Sequence, residues 1–341
     1  MYTIADRLGI SVSEVSRAFT KSYKMNADKR TLILRTASEL GYVRNDSASR
    51  LSMRPLRIGI IYTESVPEFF GEIMYGLRTA EKMLSSYKLF CTYRCTDRDG
   101  FPCIDKIEDA LREFTNEGYD GVIIASSSDG IVQCIGRYSN KIKIGLVNID
   151  APDSGRLFAS VNDTFTVACT AAHLLSLYHN DTPAHTLVIT GDSTHWTHRQ
   201  ILSVFLPEAE HLSLNVQGIY AAQNDNDLER QLDGIFNAHP NVTGIYLTSS
   251  ISIPICSRIR SMGLSGKIRI VTSDIFKRLY EYLEDGTVLA TLWQNPGEQA
   301  RRAVECMYNY LANGIEPPQH LIARPEIVMK SNLPLYITEN Q

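Results

Sequence analysis

From Arg57 onward, short apolar runs alternate with longer stretches whose apolar residues recur every three or four positions. RIGIIYT, YKLFCTYRC, YDGVIIAS, IKIGLVNID, HTLVITGD, VTGIYLTSS, IRIVTSD and TVLATLWQ read as strands. They are apolar on both faces, as parallel strands covered on both sides must be. GEIMYGLRTAEKML, IDKIEDALREFTNEG, TFTVACTAAHLLSLYH, DLERQLDGIFNAHP, IPICSRIRSMG, FKRLYEYLEDG and GEQARRAVECMYNYLANG read as the helices between them. Strict alternation predicts an α/β architecture with doubly wound parallel sheets. A stretch of roughly 280 residues is long for one sheet, so two similar subdomains are expected. In such folds ligands sit at the carboxyl ends of strands, here residues 62–70, Asp150, Ser249, Asp274 and Gln294.

The first 56 residues have a different texture. Ile4, Ala5 and Leu8 form one apolar stripe, ended by Gly9. Ser11-Val12-Ser13-Glu14 is a capping box, in which the Ser11 hydroxyl and the Glu14 carboxylate satisfy each other's backbone N–H groups. It starts a second helix carrying Val15, Ala18 and Phe19 inward. Asn26 caps a third, with Leu32, Leu34, Ala37 and Leu40 apolar and Gly41 as its stop. Two short helices joined by a glycine turn predict a helix-turn-helix, the second helix presenting Ser13, Ser16 and Arg17. RNDSASRLSMRPL, residues 44–56, reads as a polar linker.

Charge sharpens that division. The chain has a net charge of -4, but residues 1–56 carry +5 and the remainder -9. A basic head on an acidic body suggests that the head meets a polyanion and the body does not. Hydrophobic residues make up 44% and charged residues 21%, an ordinary globular balance, and no apolar run is long enough to span a membrane. The polar N-terminus has no secretory-signal pattern, and seven scattered cysteines fit a reducing compartment, so the protein is expected in the cytoplasm.

Three blocks then become specific: Ile10-Ser11-Val12-Ser13-Glu14-Val15-Ser16-Arg17, Leu40-Gly41-Tyr42-Val43-Arg44-Asn45 and Ala48-Ser49-Arg50-Leu51. Together they resemble the headpiece and hinge of the lactose-repressor (LacI/GalR) family of transcription regulators, and the body resembles that family's effector domain, which is similar to periplasmic sugar-binding proteins. The resemblance implies a DNA-binding headpiece over residues 1–44, a hinge helix and linker over 45–56, and an effector-binding and dimerisation domain over 57–341. Within the last, it implies one subdomain from about 57–158 and 291–318, and another from about 159–290 and 319–336. Val12, Ser13, Ser16 and Arg17 would face the major groove, and Thr20, Lys24 and Asn26 would fix register on phosphates. Asn45, Ala48 and Leu51 would lie on the hinge helix, with Leu51 wedged into the minor groove or else packed on its own headpiece. Arg44 stands in place of the family's hinge proline.

For the body, the resemblance implies an effector pocket of Phe69, Phe70, Asp150, Arg199, Tyr220, Ser249, Asp274 and Gln294; Trp196, three residues from Arg199, either lines the same cleft or packs in the core. Carboxylates, arginine and aromatic faces suit a carbohydrate. Pro67, Ala151 and Ser249-Ser250 depart from the sugar-binding pattern, each removing a hydrogen-bonding group. The expected partners are therefore a pseudo-palindromic double-stranded operator, a small-molecule effector and a second copy of the chain, as a homodimer without the family's tetramerising tail.

Enzyme chemistry finds little support. His195 and His198 have no H-E-x-x-H context and read as a surface loop; Cys91, Cys95 and Cys103 lack zinc spacing; glycine-rich phosphate loops and a nucleophile elbow are missing. No cofactor and no metal are expected. The rival readings are a solute-binding protein of an uptake system, which the body alone would permit, and an α/β enzyme with a helical appendage.

Overall fold

The computed structural model describes residues 2–19, 25–40, 54–126, 128, 130–177, 184–192 and 195–337. At the N-terminus, α1 (Tyr2–Leu8), α2 (Val12–Ala18) and α3 (Ala27–Glu39) enclose a small core of Ile4, Ala5, Val15, Ala18, Ile33 and Ala37. Gly9 makes the turn between α1 and α2 at φ +62°, a backbone state that glycine adopts without strain. The capping box forms: the Ser11 hydroxyl accepts from Glu14 N–H at 3.2 Å, and Ser11 N–H donates to the Glu14 carboxylate at 3.3 Å. The other Glu14 oxygen pairs with Lys29 Nζ at 2.6 Å, tying α3 to α2. On α3 the inward stripe differs from the expected one. Ile33, Thr36 and Ala37 are buried and Leu40 packs beside them, an i, i+3, i+4, i+7 series, whereas Leu32 and Leu34 fall off that stripe and are exposed.

The body holds two six-stranded sheets. Its first part runs β1 (Leu56–Tyr62), α4 (Pro67–Leu84), β2 (Leu89–Cys95), a two-residue hairpin β3 (Asp97–Arg98) and β4 (Phe101–Pro102), α5 (Ile104–Asn116), β5 (Gly121–Ala125), α6 (Ile131–Tyr138), β6 (Lys143–Val147) and β7 (Phe158–Asn162). The second part runs α7 (Thr164–Ser176), β8 (Ala184–Thr190), α8 (Trp196–His211), β9 (Leu214–Ala221), α9 (Asp225–Ala238), β10 (Gly244–Leu247), α10 (Ile253–Ser261), β11 (Arg269–Ser273), α11 (Lys277–Glu284) and β12 (Ala290–Trp293). The chain then returns to the first lobe as α12 (Pro296–Asn313) and β13 (His320–Ala323), and ends in the second as β14 (Glu326–Val328).

The first sheet has the order β13-β7-β6-β5-β1-β2 and is parallel throughout; the second has the order β14-β12-β11-β10-β8-β9, with β14 alone antiparallel. Each sheet is covered on both faces. Ile73 and Leu77 of α4 and Val304 and Met307 of α12 cover one face of the first, and Leu111 and Phe114 of α5 the other. Ile201 and Phe205 of α8 cover one face of the second, and Leu228, Ile255 and Leu279 the other. Helices α4 and α12 pack so closely that a Cβ on Gly76 would overlap the Gly297 carbonyl.

Some elements escaped the sequence reading. Strand β9 lies at a sheet edge and its residues alternate in burial, so it shows no continuous apolar run. Helix α8 carries Pro207 in its interior. The last strand, β14, has only three residues and ends at Val328. The lobe crossings also shift: β7 and β13 pair within the first sheet and β12 within the second. The chain therefore crosses after Asn162, between Trp293 and Pro296, and after Ala323, a few residues beyond each expected boundary. Among the described residues no helix is long and apolar enough to cross a membrane.

Candidate functional site

The strands of both lobes end toward one cleft, and a cavity of about 330 Å³ lies there. The first lobe contributes Ser65, Val66, Phe69 and Phe70 after β1, Phe101 and Pro102 of the small hairpin, and Asn148 after β6. The second contributes Asp192, His195 and His198 after β8, Gln223 after β9, Thr248 to Ile251 after β10, Asp274 after β11 and Gln294 after β12. Apart from the hairpin pair, every group thus sits at a strand's carboxyl end or on the helix that follows. Two wall residues, Asn148 (φ +60°) and Asp274 (φ +67°), hold left-handed backbone, which turns the chain sharply off each strand.

Phe69 and Phe70 lie in the first turns of α4, where Pro67 occupies an opening position that needs no N–H donor. Their rings meet edge to face with centroids 5.4 Å apart. Opposite them, Asp274 is buried and its carboxylate accepts from the Gln294 side-chain amide at 3.2 Å. Burial pushes the Asp274 carboxyl up to about 7, with the negative charge of Glu72 adding to the effect. Among the described residues no cation pairs with it. Gln294 is itself buried, and with its amide given to Asp274 its Oε1 has no hydrogen-bond partner.

The histidines close the wall. His195 caps α8, its Nδ1 accepting from Thr197 N–H at 3.3 Å. His198 Nδ1 lies 3.0 Å from the Thr248 hydroxyl, which donates onward to Thr190. With that hydroxyl proton used, Nδ1–H is the donor and Nε2 is left as an acceptor. Burial lowers both rings, His195 to about 4 and His198 to about 3, so both are neutral at pH 7. The expected surface loop at 195–198 is therefore a helix start in the cleft wall. The strand-end rule that singled out Asp274 applies equally to the residues after β8 and could have found them.

Of the residues expected in the pocket, Phe69, Phe70, Ser249, Asp274 and Gln294 line this cavity together. Four others lie elsewhere. Asp150 is buried against Arg156 and His320, the latter at 2.8 Å, and Arg156 also donates to the Gln319 carbonyl at 3.1 Å. Burial works to raise the Asp150 carboxyl, but the hydrogen bonds from Arg156 and His320 outweigh it and hold the group below its usual range. Arg199 is exposed on α8, one position round from His198. Tyr220 bonds His239 at 2.7 Å and packs on the second lobe's core. Trp196 packs against the first lobe's core. That contact crosses the cleft, as do the Thr197 hydroxyl donating to the Asn148 carbonyl at 2.8 Å and the Glu68–Arg278 ion pair.

In the N-terminal helices, Ser13 and Arg17 are exposed and Ser16 is half-buried. Val12 was expected at an exposed helix start; it packs partly against the small core. Asn26 caps α3, its side-chain oxygen accepting from Asp28 and Lys29 N–H at 2.9 and 3.2 Å. Thr20, Lys24, Asn45, Ala48 and Leu51 lie outside the described residues.

A family model described as periplasmic binding protein domain matches residues 58–315. The chain belongs to that family. Among curated relatives, it is 29% identical over 161 residues to the HTH-type transcriptional regulator RegA of Clostridium saccharobutylicum, covering 46% of this chain and 45% of that protein. It is 24% identical over 185 residues to the HTH-type transcriptional regulator DegA of Bacillus subtilis, covering 53% of each. The chain thus spans about half the length of the curated relatives it matches. In fold, this periplasmic-binding-protein body resembles GanP, a glucose-galactose binding protein from Geobacillus stearothermophilus, with a TM-score of 0.73 at 21% identity, over 83% of this chain and all of that one.

Proposed function

We propose that this protein is a sequence-specific DNA-binding transcription regulator of the lactose-repressor kind, acting as a repressor. Its operator affinity would be set by a small polyhydroxylated molecule in the cleft. The observation that carries the reading is the pairing of two units: three N-terminal helices with a capped, polar-faced α2, and a two-lobed body whose strand ends converge on a cavity. The likeness to HTH-type regulators supports the first role, and the likeness to a glucose-galactose binding protein supports the second. In this reading the chain works in the cytoplasm as a homodimer, and two copies of α2 enter successive major grooves of a pseudo-palindrome. Ser13, Ser16 and Arg17 face the bases there, and effector in the cleft changes the angle between lobes and hence the spacing of the headpieces.

The test is to select binding duplexes from random-sequence DNA with the full chain and measure affinity across salt concentrations. A regulator should recover a palindromic site and bind it with a steep salt dependence, because phosphate contacts release counterions. Selection that returns no common sequence sinks the reading. A solute-binding protein would behave in that second way.

A further inference from the structure

The chemistry of the cleft wall restricts its ligand more narrowly than the fold does. No Lys or Arg is among the described residues that line the cavity. The arginine expected there, Arg199, points away on α8, and His198 lines the wall in its stead. Arg278, near the rim, is held by Glu68 and by Asp225 at 3.0 Å. The wall does contain the Asp274 and Asp192 carboxylates, and Gln294, whose Oε1 is buried behind its surface, donates to the first of them. Neutral donor–acceptors surround them, among them Ser65, Thr248 and Ser249. Three phenylalanine rings, Phe69, Phe70 and Phe101, complete the lining.

This set is mismatched to an anion. A phosphate or carboxylate would be desolvated against two carboxylates with no cation to pair it. A neutral ligand would leave Asp274 buried without a counter-charge. A protonated amine supplies one, since –NH3⁺ has three donors and no acceptor, and phenylalanine faces attract it further.

We propose that the cleft selects a cationic, amine-bearing polyol of hexosamine type, with its ammonium group placed against Asp274. The inference rests on the reading of the cleft as a ligand site. Two features support it beyond the acidic groups: the phenylalanine rings in the lining and the neutrality of both wall histidines.

The experiment is calorimetric titration of the full chain at pH 7.5 with matched pairs, glucosamine against glucose and galactosamine against galactose, alongside glucose 6-phosphate and gluconate. At least one amine should bind about tenfold or more tighter than its matching hexose, a preference of the size a new buried charge contact gives. The phosphate and the acid should give no binding heat. Asp274→Asn, which keeps a residue tolerant of left-handed backbone, should bring that ratio to within about threefold. Equal or tighter binding of the hexose, binding of the phosphate or the acid, a preference that survives Asp274→Asn, or no binding by either amine at millimolar concentration each overturns the proposal. A hexose that binds without amine preference leaves the sensor reading standing. An amine that binds with the expected preference but leaves affinity for the selected DNA unchanged supports this inference and sinks the regulatory reading instead.

Discussion

Gln294 donates its side-chain amide to the buried carboxylate of Asp274 at 3.2 Å and is left with an unpartnered carbonyl oxygen of its own. The pair joins the ends of β11 and β12, adjacent strands whose register places both residues on the cleft wall. A buried carboxylate with no cation and a buried carbonyl with no donor among the described residues both weaken the unliganded protein. Groups held at such a cost are characteristic of binding sites.

The cost at Asp274 gives a stability prediction whose sign can be worked out. Its carboxyl is raised from 3.8 to about 7 in the folded chain. Between those values the folded state holds a proton that the unfolded state has lost, so stability falls as pH rises through that window. Asp274→Asn removes this dependence. The variant should be more stable than the wild type by about 1–3 kcal/mol at pH 8 and nearly equal to it at pH 4. Thermal denaturation at both pH values checks this, and an equal shift at both would mean that ionisation is not the cause.

The histidines push the other way. His195 and His198 fold as neutral rings with values lowered from 6.5 to about 4 and about 3. Below pH 6.5 the unfolded chain takes up protons that the folded chain refuses, so this contribution is full above 6.5 and is lost as pH falls toward 3. In the Asp274→Asn background, where the opposing slope is gone, stability should drop by about 2 kcal/mol or more between pH 6.5 and 4.5. Adding His198→Gln should roughly halve the drop. A flat profile before the second substitution would contradict the burial of these rings.

Much of this site was legible in the sequence, because strand ends announce themselves. Asp274, Gln294 and Ser249 follow apolar runs that need no further information to be read as buried strands, and Phe69 and Phe70 follow the first of them. What failed was helix phase and edge strands. Arg199 and His198 differ by one position, about 100° around a helix, and an unrecognised α8 gave no way to choose between them. Tyr220 belongs to a half-exposed edge strand whose alternating pattern concealed it. Asp150 ends a strand as expected, but its partners Arg156 and His320 come from a loop and from β13, a pairing decided by tertiary structure alone.

Gly191 should tolerate no side chain. A Cβ there would overlap Nε2 of His198, a ring already fixed by Thr248. Gly191→Ala is therefore expected to lower stability by about 1–3 kcal/mol, as overpacking does, and to displace the histidine from the wall. Chemical denaturation reads the first effect and sugar titration the second. A variant as stable as the wild type would mean that the β8–α8 turn has room which this packing denies.

The Glu68–Arg278 pair bridges the lobes from α4 to α11 at the rim of the cleft, with Asp225 sharing the guanidinium. Arg278 is about half exposed, so solvent screens the bridge and its worth is below about 1 kcal/mol. Arg278→Ala should weaken binding of whichever hexosamine or hexose the chain takes by up to about fivefold at low ionic strength. In roughly 0.5 M salt the difference should nearly vanish. Unchanged affinity at low salt would remove the pair from the closure of the lobes.

Arg17 carries the sharpest prediction for the N-terminal helices. It is exposed in the last turn of α2, whose opposite face, Val15 and Ala18, supplies the small core. Alanine is a good helix former, so Arg17→Ala should leave the three helices folded, which circular dichroism can verify. If Arg17 reads a base through a bidentate contact, the variant should lose about 1–3 kcal/mol against the selected duplex and far less against a scrambled one. An equal loss on both duplexes would make it a phosphate contact, with a salt slope reduced by about one. Unchanged binding to both would show that α2 is not the recognition helix, and the groove-facing roles of Ser13 and Ser16 would fall with it.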